Sequence, residues 1–236
     1  MNVRPPTHTR ITMRPNFLGI AALGLVAGIA NTTSGQVCQG TAPFSAGSAR
    51  VGAGMQFTDG AKAYGGGLAF GSSNSLFGSA EVSRTEFDDI DASATGFTLA
   101  GGYSIAMNTQ RTVQFCPLVG FAYQSGPNFD TGFGTVSSSV RAIGFGGSIG
   151  TTMPLSPTLD LIPFGGASYE FDHASGSFNG LSQSSDQNYT NVQLGAGFVL
   201  NHVLTILPSI SIPIGLDGAK PTYGISFGIN FGAPAK

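Results

Sequence analysis

The chain has 236 residues with 36 glycines, no tryptophan and only 9% charged side chains, whereas soluble domains average about 25% charged and about 7% glycine. Hydrophobic residues reach 41%, yet beyond the N-terminal stretch no uncharged apolar run attains the ~18–20 residues of a spanning helix. Helical spans past the leader are thereby excluded, and 18 phenylalanines spread along the chain argue against a solvated coil.

Residues 1–35 read as a secretory signal. Arg4, Arg10 and Arg14 precede an apolar stretch from Phe17 to Ala30 and a small polar run from Asn31 to Gly35. Cleavage is expected after Gly35, and Met13 is an alternative start, since Met13-Arg14-Pro15-Asn16 alone makes a charged region. The absence of Leu and Ala just before Cys38 argues against a lipid-modified cysteine. The leader removes three of ten basic residues and none of twelve acidic ones, leaving seven against twelve and a net charge of about −5. That balance disfavours nucleic acid as a partner.

From Ser48 onward apolar residues recur with period two, in segments of roughly ten residues between turn signals. Val51, Ala53, Met55 and Phe57 share one face of a first strand; Tyr64, Leu68 and Phe70 mark a second; Leu76, Ala80 and Val82 a third. Phe97, Leu99, Tyr103 and Ile105 mark a fourth, and Val113, Phe115, Val119, Phe121 and Tyr123 a fifth. Ile143, Phe145 and Ile149 give a sixth; Leu159, Leu161, Tyr169 and Phe171 a seventh; Val192, Leu194, Ala196, Phe198 and Leu200 an eighth. A ninth covers Val203 to Pro213, and in the tenth Tyr223, Ile225, Phe227, Ile229 and Phe231 alternate with Gly224, Ser226, Gly228 and Asn230.

One face is large and apolar, the other small and polar, the inverse of a soluble sandwich with its charged solvent face. Lipid outside and a tight polar lumen inside fit this pattern, and a bilayer requires the sheet to close so that every backbone amide is paired. The predicted fold is an all-β, antiparallel up-and-down transmembrane barrel of about ten strands, with eight as the alternative count. Its plan is a leader at 1–35, a periplasmic N-terminal segment at 36–47, the barrel at 48–231 and a short tail at 232–236. Short links after even strands, around Asn108 to Arg111, Leu155 to Pro157 and Asn201-His202, alternate with long outer loops at Ser125 to Ser139 and Asp172 to Asn188. Asp59, Glu86, Asp88, Asp89, Asp91, Asp130, Asp172, Asp186 and Asp217 fall in or beside the outer loops, predicting an acidic rim.

An exported chain with two cysteines favours a disulfide over two thiols. Cys38 falls just before the first strand and Cys116 near the periplasmic start of the fifth, so a bridge would tie the segment Gln36 to Ala46 across or against the periplasmic opening. His8, His173 and His202 form no metal-ligand spacing, and no cofactor is expected.

The last strand, Thr222-Tyr223-Gly224-Ile225-Ser226-Phe227-Gly228-Ile229, resembles the assembly signal of bacterial outer-membrane proteins: a polar residue (Thr222), a glycine two later (Gly224), then spaced Phe227, Ile229 and Phe231. With the leader, the chain is similar to small outer-membrane β-barrels of the OmpA-like and porin-like type. The resemblance implies export to the bacterial outer membrane, recognition by the barrel-assembly machinery and contact with outer-membrane lipid and lipopolysaccharide. In that family the terminal aromatic commonly ends the chain, whereas here Gly232 to Lys236 follow Phe231, and no peptidoglycan-binding domain is expected after them. A closed barrel has no free edge, so a monomer is the default.

Candidate chemistry is sparse. Phe171-Asp172-His173-Ala174-Ser175 resembles the His-x-Ser spacing of outer-membrane lipid A deacylases, in which His activates a lipid-facing Ser; by strand phase His173 and Ser175 face outward. Gly176 replaces the Asn expected after that Ser, and Asp186 rather than a Glu lies at suitable distance. Asp89 and Asp91 opposite Asp172 and His173 are similar in layout to omptin proteases, although Asp172 and His173 are adjacent here. Arg50, Glu81, Asp160 and Glu170 take the lumen-facing phase, as an ion-pair network or a cation-preferring constriction. Arg84 and Arg141 take the outward phase near the outer rim, where basic side chains reach toward lipid phosphates. The sequence thus favours a noncatalytic structural or surface-interaction protein with at most a narrow pore. The alternatives are a lipid A deacylase-like hydrolase using His173 and Ser175, and a soluble secreted β-domain.

Overall fold

A computed structural model describes residues 36–44, 47–72, 75–88, 91–130, 134–179 and 181–232. The leader at 1–35, Asp89 and residues 233–236 of the tail lie outside the described residues. Ten long strands form the wall: β1 Ala49–Thr58, β2 Ala61–Gly71, β3 Leu76–Phe87, β4 Ser93–Tyr103, β5 Val113–Ser125, β6 Thr135–Thr151, β7 Leu159–Phe178, β8 Leu181–Leu200, β9 Leu204–Ile214 and β10 Thr222–Phe231. Each pairs antiparallel with its chain neighbours, and β1 pairs with β10 from Ala49↔Phe231 to Phe57↔Tyr223. The sheet is therefore a closed ring of ten strands, and within the ring no long strand presents an unpaired edge. Short two- to four-residue ladders, Ile105–Ala106, Phe129–Asp130 and Met153–Ser156, extend individual hairpins without joining the ring.

The faces follow the sequence alternation. Val51, Leu68, Phe70, Val82, Leu99, Val119, Ile143, Phe145, Leu194 and Tyr223 are exposed on the outside. Ala69, Thr98, Ala122, Ala142, Ile162, Asn191, Thr205 and Ser226 are buried inside. Outward aromatics of β4, β5, β6 and β7 contact one another along the wall: Phe97 lies 5.8 Å from both Phe121 and Tyr123, Phe145 lies 5.9 Å from Phe171, and Tyr169 meets Phe171 edge-on at 5.0 Å. Aromatic girdles border the apolar band in barrels that cross a bilayer. No helix among the described residues is long and apolar enough to cross a membrane, which bears on helices alone.

Tight turns close the hairpins where backbone with positive φ is available. Asp59-Gly60 joins β1 to β2 with Gly60 at φ 83°, and Asn201-His202 joins β8 to β9 with φ 49° and 57°. Two successive positive-φ residues are the signature of a type I′ turn, whose twist matches that of the flanking strands.

One of the two long outer loops expected from the sequence is not a loop. Nearly all of Asp172 to Asn188 is strand, because β7 and β8 run 20 residues each, whereas residues 126–134 still link β5 to β6, which takes up only Thr135 to Ser139 of the other expected loop. The link from β7 to β8 is only residues 179–180, with Asn179 at φ 49°. Beyond Phe171 and Ile143 the outward residues turn polar while the inward ones stay mostly small or apolar, Val140, Ala142 and Ala174 packing with Ala122 as a buried cluster, so the apolar-outside alternation that marks a strand lower down is lost there.

Closure predicts a compact, heat-sensitive species. In detergent the unheated protein should migrate faster than the boiled protein on a denaturing gel. A single mobility together with solubility in the absence of detergent would place the apolar positions above in the core of a soluble domain instead.

Candidate functional site

The floor of the barrel is filled from inside by the N-terminal segment. Val37–Gln39 forms one 3-10 turn closed by Gly40 at φ 75°, with Gly40 N–H donating to the Val37 carbonyl. Val37 and Ala42 pack on Ile162 of β7 and Val199 of β8, and Cys38 packs with Phe77 and Cys116, flanked by Phe44 and Leu118. Cys38 and Cys116 are joined as a disulfide with Cα atoms 6.0 Å apart. The sequence led to a segment across or against the opening; the structure inserts it within the strands. The wall accommodates it through glycines. A Cβ at Gly150 would collide with the Val37 carbonyl, and one at Gly197 with the Gly40 carbonyl.

Above this floor the four lumen candidates separate. Arg50, 1% exposed, donates from Nε to Asn230 Oδ1 at 2.7 Å and from Nη2 to Thr205 Oγ1 at 3.1 Å, tying β1 to β10 and β9. Asp160 lies at the start of β7, beside His202 of the β8–β9 turn, with Oδ2 to Nδ1 at 3.4 Å. Glu170 is 1% exposed and accepts from Ser168 Oγ at 2.5 Å, while Glu81 is buried in the wall of β3. Asp172, which the sequence placed in an outer loop, is instead an inward residue of β7, 4% exposed, accepting from Tyr189 Oη at 3.2 Å. The reason is the continuation of β7: Asp172 keeps the inward phase of Glu170 two positions earlier. Sequence alternation would have found it had the strand been carried past Phe171. A cavity of about 50 Å³ lies between the floor and the acids, lined by Gln39, Ser148, Ser168, Glu170, Asn191 and Gln193. That is room for a few waters.

The outer wall carries the second group of candidates. His173 and Ser175 sit two apart on the outward phase of β7. His173 Nδ1 is 2.6 Å from Asp186 Oδ1 across the β7–β8 ladder, and Ser175 Oγ is 2.9 Å from Ser139 Oγ across the β6–β7 ladder. Arg141 pairs in register with His173 on the other side, so Arg141, His173 and Asp186 form one row just above Phe171, with Ser139, Ser175 and Ser184 in the next. The Asp186 contact follows from the hairpin register. Its sequence signal was Asn179-Gly180, a dipeptide strongly associated with two-residue hairpin turns. Asp91 lies in the β3–β4 link, exposed, and Arg84 is outward with Nε 3.8 Å from Glu86 Oε1. Lys62 Nζ meets Asp88 Oδ1 at 3.2 Å nearby. No cluster of three or more His, Cys, Asp or Glu suited to a metal occurs among the described residues. In the last strand Thr222 faces inward with Gly224, while Phe227, Ile229 and Phe231 are exposed outward.

A closed ring with a girdled apolar exterior and a polar, partly filled interior defines a small transmembrane β-barrel of the outer-membrane type. No protein-family model matches the sequence, and no curated protein matches it significantly. Solved structures with similar folds include the N-terminal β-barrel domain of OprF from Pseudomonas aeruginosa, at 13% identity and TM-score 0.37, over 79% of this chain and 98% of that one. Ail, the attachment invasion locus protein of Yersinia pestis, is similar at 14% identity and TM-score 0.40, over 79% and 100%. The β domain of the Bordetella autotransporter BrkA is similar at 10% identity and TM-score 0.48, over 78% and 98%.

The glycine cradle of the floor segment predicts a specific defect. Gly197→Val should hinder seating of residues 36–44, at a cost of about 1–3 kcal/mol for overpacking, and should raise the fraction of unfolded, unreduced protein that takes up alkylating agent on Cys38 and Cys116. Unmodified cysteines in both wild type and variant would show that the bridge forms without the close approach at Gly197.

Proposed function

We propose that the chain is a noncatalytic outer-membrane β-barrel with a structural or surface-interaction role and at most a narrow pore. The observation that carries this reading is the filled floor: residues 36–44 occupy the lumen, covalently held through Cys38 to Cys116 and packed on Ile162 and Val199. A conduit for solutes of any size needs a continuous bore, and ten strands lined by small side chains already leave little. The surface-interaction role is supported by the tall wall of β6, β7 and β8, which stands above the apolar band and presents hydroxyls of Ser137, Ser139, Ser175 and Ser177 in two hydrogen-bonded pairs. Lipopolysaccharide is the lipid partner proposed for Arg84 and Arg141, whose outward guanidinium groups lie near the outer rim. Export through residues 1–35 and reading of Thr222 to Phe231 by the barrel-assembly machinery complete the proposal, with the monomer as the functional unit.

Planar-bilayer recording tests the pore. The wild type should give no steps, or only small ones, while a Cys38→Ser variant that retains the heat-sensitive compact band should give larger or more frequent steps as the floor segment loosens. Wild-type steps as wide as those of an open porin would sink the reading.

One observation favours the hydrolase alternative: Asp186 is hydrogen-bonded to His173, the arrangement that would orient an imidazole toward a nucleophile. Against it, Ser175 is engaged by Ser139 rather than by His173. Ser175→Ala in producing cells should leave lipid A acylation unchanged by mass spectrometry. An added acyl chain in the variant would replace the structural reading with the enzymatic one.

A further inference from the structure

We propose that the upper part of β8, Leu181 to Tyr189, is a docking edge that an extended, basic segment of another protein completes as an added strand. This deepens the surface-interaction reading, on which it rests, by naming the kind of partner. β7 and β8 pair along their whole length, from Leu159↔Leu200 to Phe178↔Leu181, whereas β9 reaches only to Thr190↔Ile214. Leu181 to Tyr189 therefore has β7 on one side and, among the described residues, no strand on the other. At ~3.4 Å per residue this free edge is about 30 Å long.

The groups it presents follow from the turn. In a two-residue hairpin the closing pair, here Phe178↔Leu181, exchanges hydrogen bonds, and bonded pairs recur at every second position. Leu181, Gln183, Ser185, Gln187 and Tyr189 thus direct their N–H and C=O groups to β7, and Ser182, Ser184, Asp186 and Asn188 direct theirs to the free side. Among the described residues no turn or link supplies these four with a backbone bond. The other edge of the same wall is finished differently. Above Ser125↔Ser139, where β5 stops, Gly126 N–H donates to the Ser138 carbonyl, Ser138 N–H donates to Asn128 Oδ1, and Phe129–Asp130 pairs with Val136 and Thr135. The chain covers the β6 edge and leaves the β8 edge open.

Open edges are normally guarded by lysine, proline or a bulge. Leu181 to Tyr189 contains no lysine, arginine, proline or glycine, and its register with β7 is uninterrupted. An extended peptide can therefore add to it through backbone bonds, with its alternate side chains beside the exposed Ser182, Ser184, Asp186 and Asn188. Charge chooses the partner. Asp186 is the charged residue of this edge; its side chain is 81% exposed and His173 engages only Oδ1. Asp217 and Lys220 of the adjoining β9–β10 link offset each other. A lysine or arginine opposite Asp186 adds an ion pair, and an acid there is repelled. A second copy in the same membrane fits less well, because its β8 runs in the same direction. Two such edges meet only as parallel strands, and in register that sets Asp186 against Asp186.

Fluorescence anisotropy tests it, with a labelled peptide of alternating lysine and threonine, as long as the free edge, added to the protein in detergent micelles. Binding should saturate. An analogue N-methylated at consecutive amides keeps the charge but blocks both edges of the peptide, and it should bind at least about tenfold more weakly. A peptide with glutamate in place of lysine should bind more weakly as well. Ser184→Pro removes one N–H of the free side, leaves the bonds to β7 intact and is tolerated on an edge. It should weaken binding by about tenfold while keeping the heat-sensitive compact band. No saturable binding to the wild type overturns the proposal, as does equal binding of the N-methylated analogue, which would mean attraction to charge alone. Equal binding of the glutamate peptide overturns the basic partner, and a dimer in micelles that excludes the peptide gives the edge to a second copy. If Ser184→Pro does not fold, the N-methylated analogue decides. None of these outcomes involves conductance, by which the reading of a structural barrel stands or falls.

Discussion

Everything in this molecule depends on the pairing of β1 with β10. In hydrocarbon an unpaired backbone amide costs several kcal/mol, so an open ten-stranded sheet with an apolar face has no stable place in a bilayer, whereas a ring does. The register Ala49↔Phe231 to Phe57↔Tyr223 supplies that last seam along nearly the full length of both strands. Closure also fixes which residues must be small. With ten strands the interior is narrow, and the inward phase of β6 accordingly carries Ala142, Gly144, Gly146, Ser148 and Gly150, while its outward phase carries Ile143, Phe145 and Ile149.

The narrow interior then makes a second demand, because its contents must be polar enough to satisfy one another and compact enough to fit. Two solutions coexist in the lumen. Near the seam Arg50 draws β1, β9 and β10 together through Asn230 and Thr205, a side chain that reaches across rather than along the wall. On the opposite side the wall gives way to glycine, and the N-terminal turn occupies the space. Removing the Cβ at Gly150 and Gly197 lets carbonyls of Val37 and Gly40 approach backbone that any side chain would screen. The disulfide holds the turn in that cradle and, closing a 78-residue separation, removes chain entropy from the unfolded state that model estimates place at about 4–5 kcal/mol.

Strand existence, the inverted faces, the count of ten and the location of both cysteines at the floor were legible in the sequence because the apolar band imposes contrast on alternate positions. Legibility ended where the band ends. Beyond Phe171 the outward residues are His173, Ser175 and Ser177, and beyond Ile143 toward the rim they are Arg141, Ser139 and Ser137. With the outward phase turned polar and the inward phase reduced to small residues such as Ala142, Val140 and Ala174, the apolar-outside alternation is lost and the segment reads as loop, although the ladder continues unbroken. Asp172 was misplaced for this reason alone. The Asp186 contact of His173 was legible in principle from Asn179-Gly180, since a two-residue turn there sets the register of the whole hairpin. What no pattern could give was the insertion of Gln36 to Phe44 into the lumen, which depends on glycines from β6 and β8 that are distant in sequence and are equally well explained by curvature.

The same boundary explains why charge is distributed as it is. On the outside, Arg141, His173 and Asp186 share a row across the β6–β7–β8 ladder and stay exposed, where charge costs little. Inside, water is scarce and the single arginine is spent on the seam, so Glu170 and Asp172 face an interior with no further inward base among the described residues. A wall that keeps two carboxylates there and backs one of them with a glycine is not minimising polar burial. A leucine at 170 would meet no unpaired charge, and packing it over Gly144 would be the simpler way to fill the same space. Glu170 holds its place through Ser168 on one oxygen and leaves the other to the polar cavity, so it adds less to the barrel's own stability than a well-packed apolar side chain would.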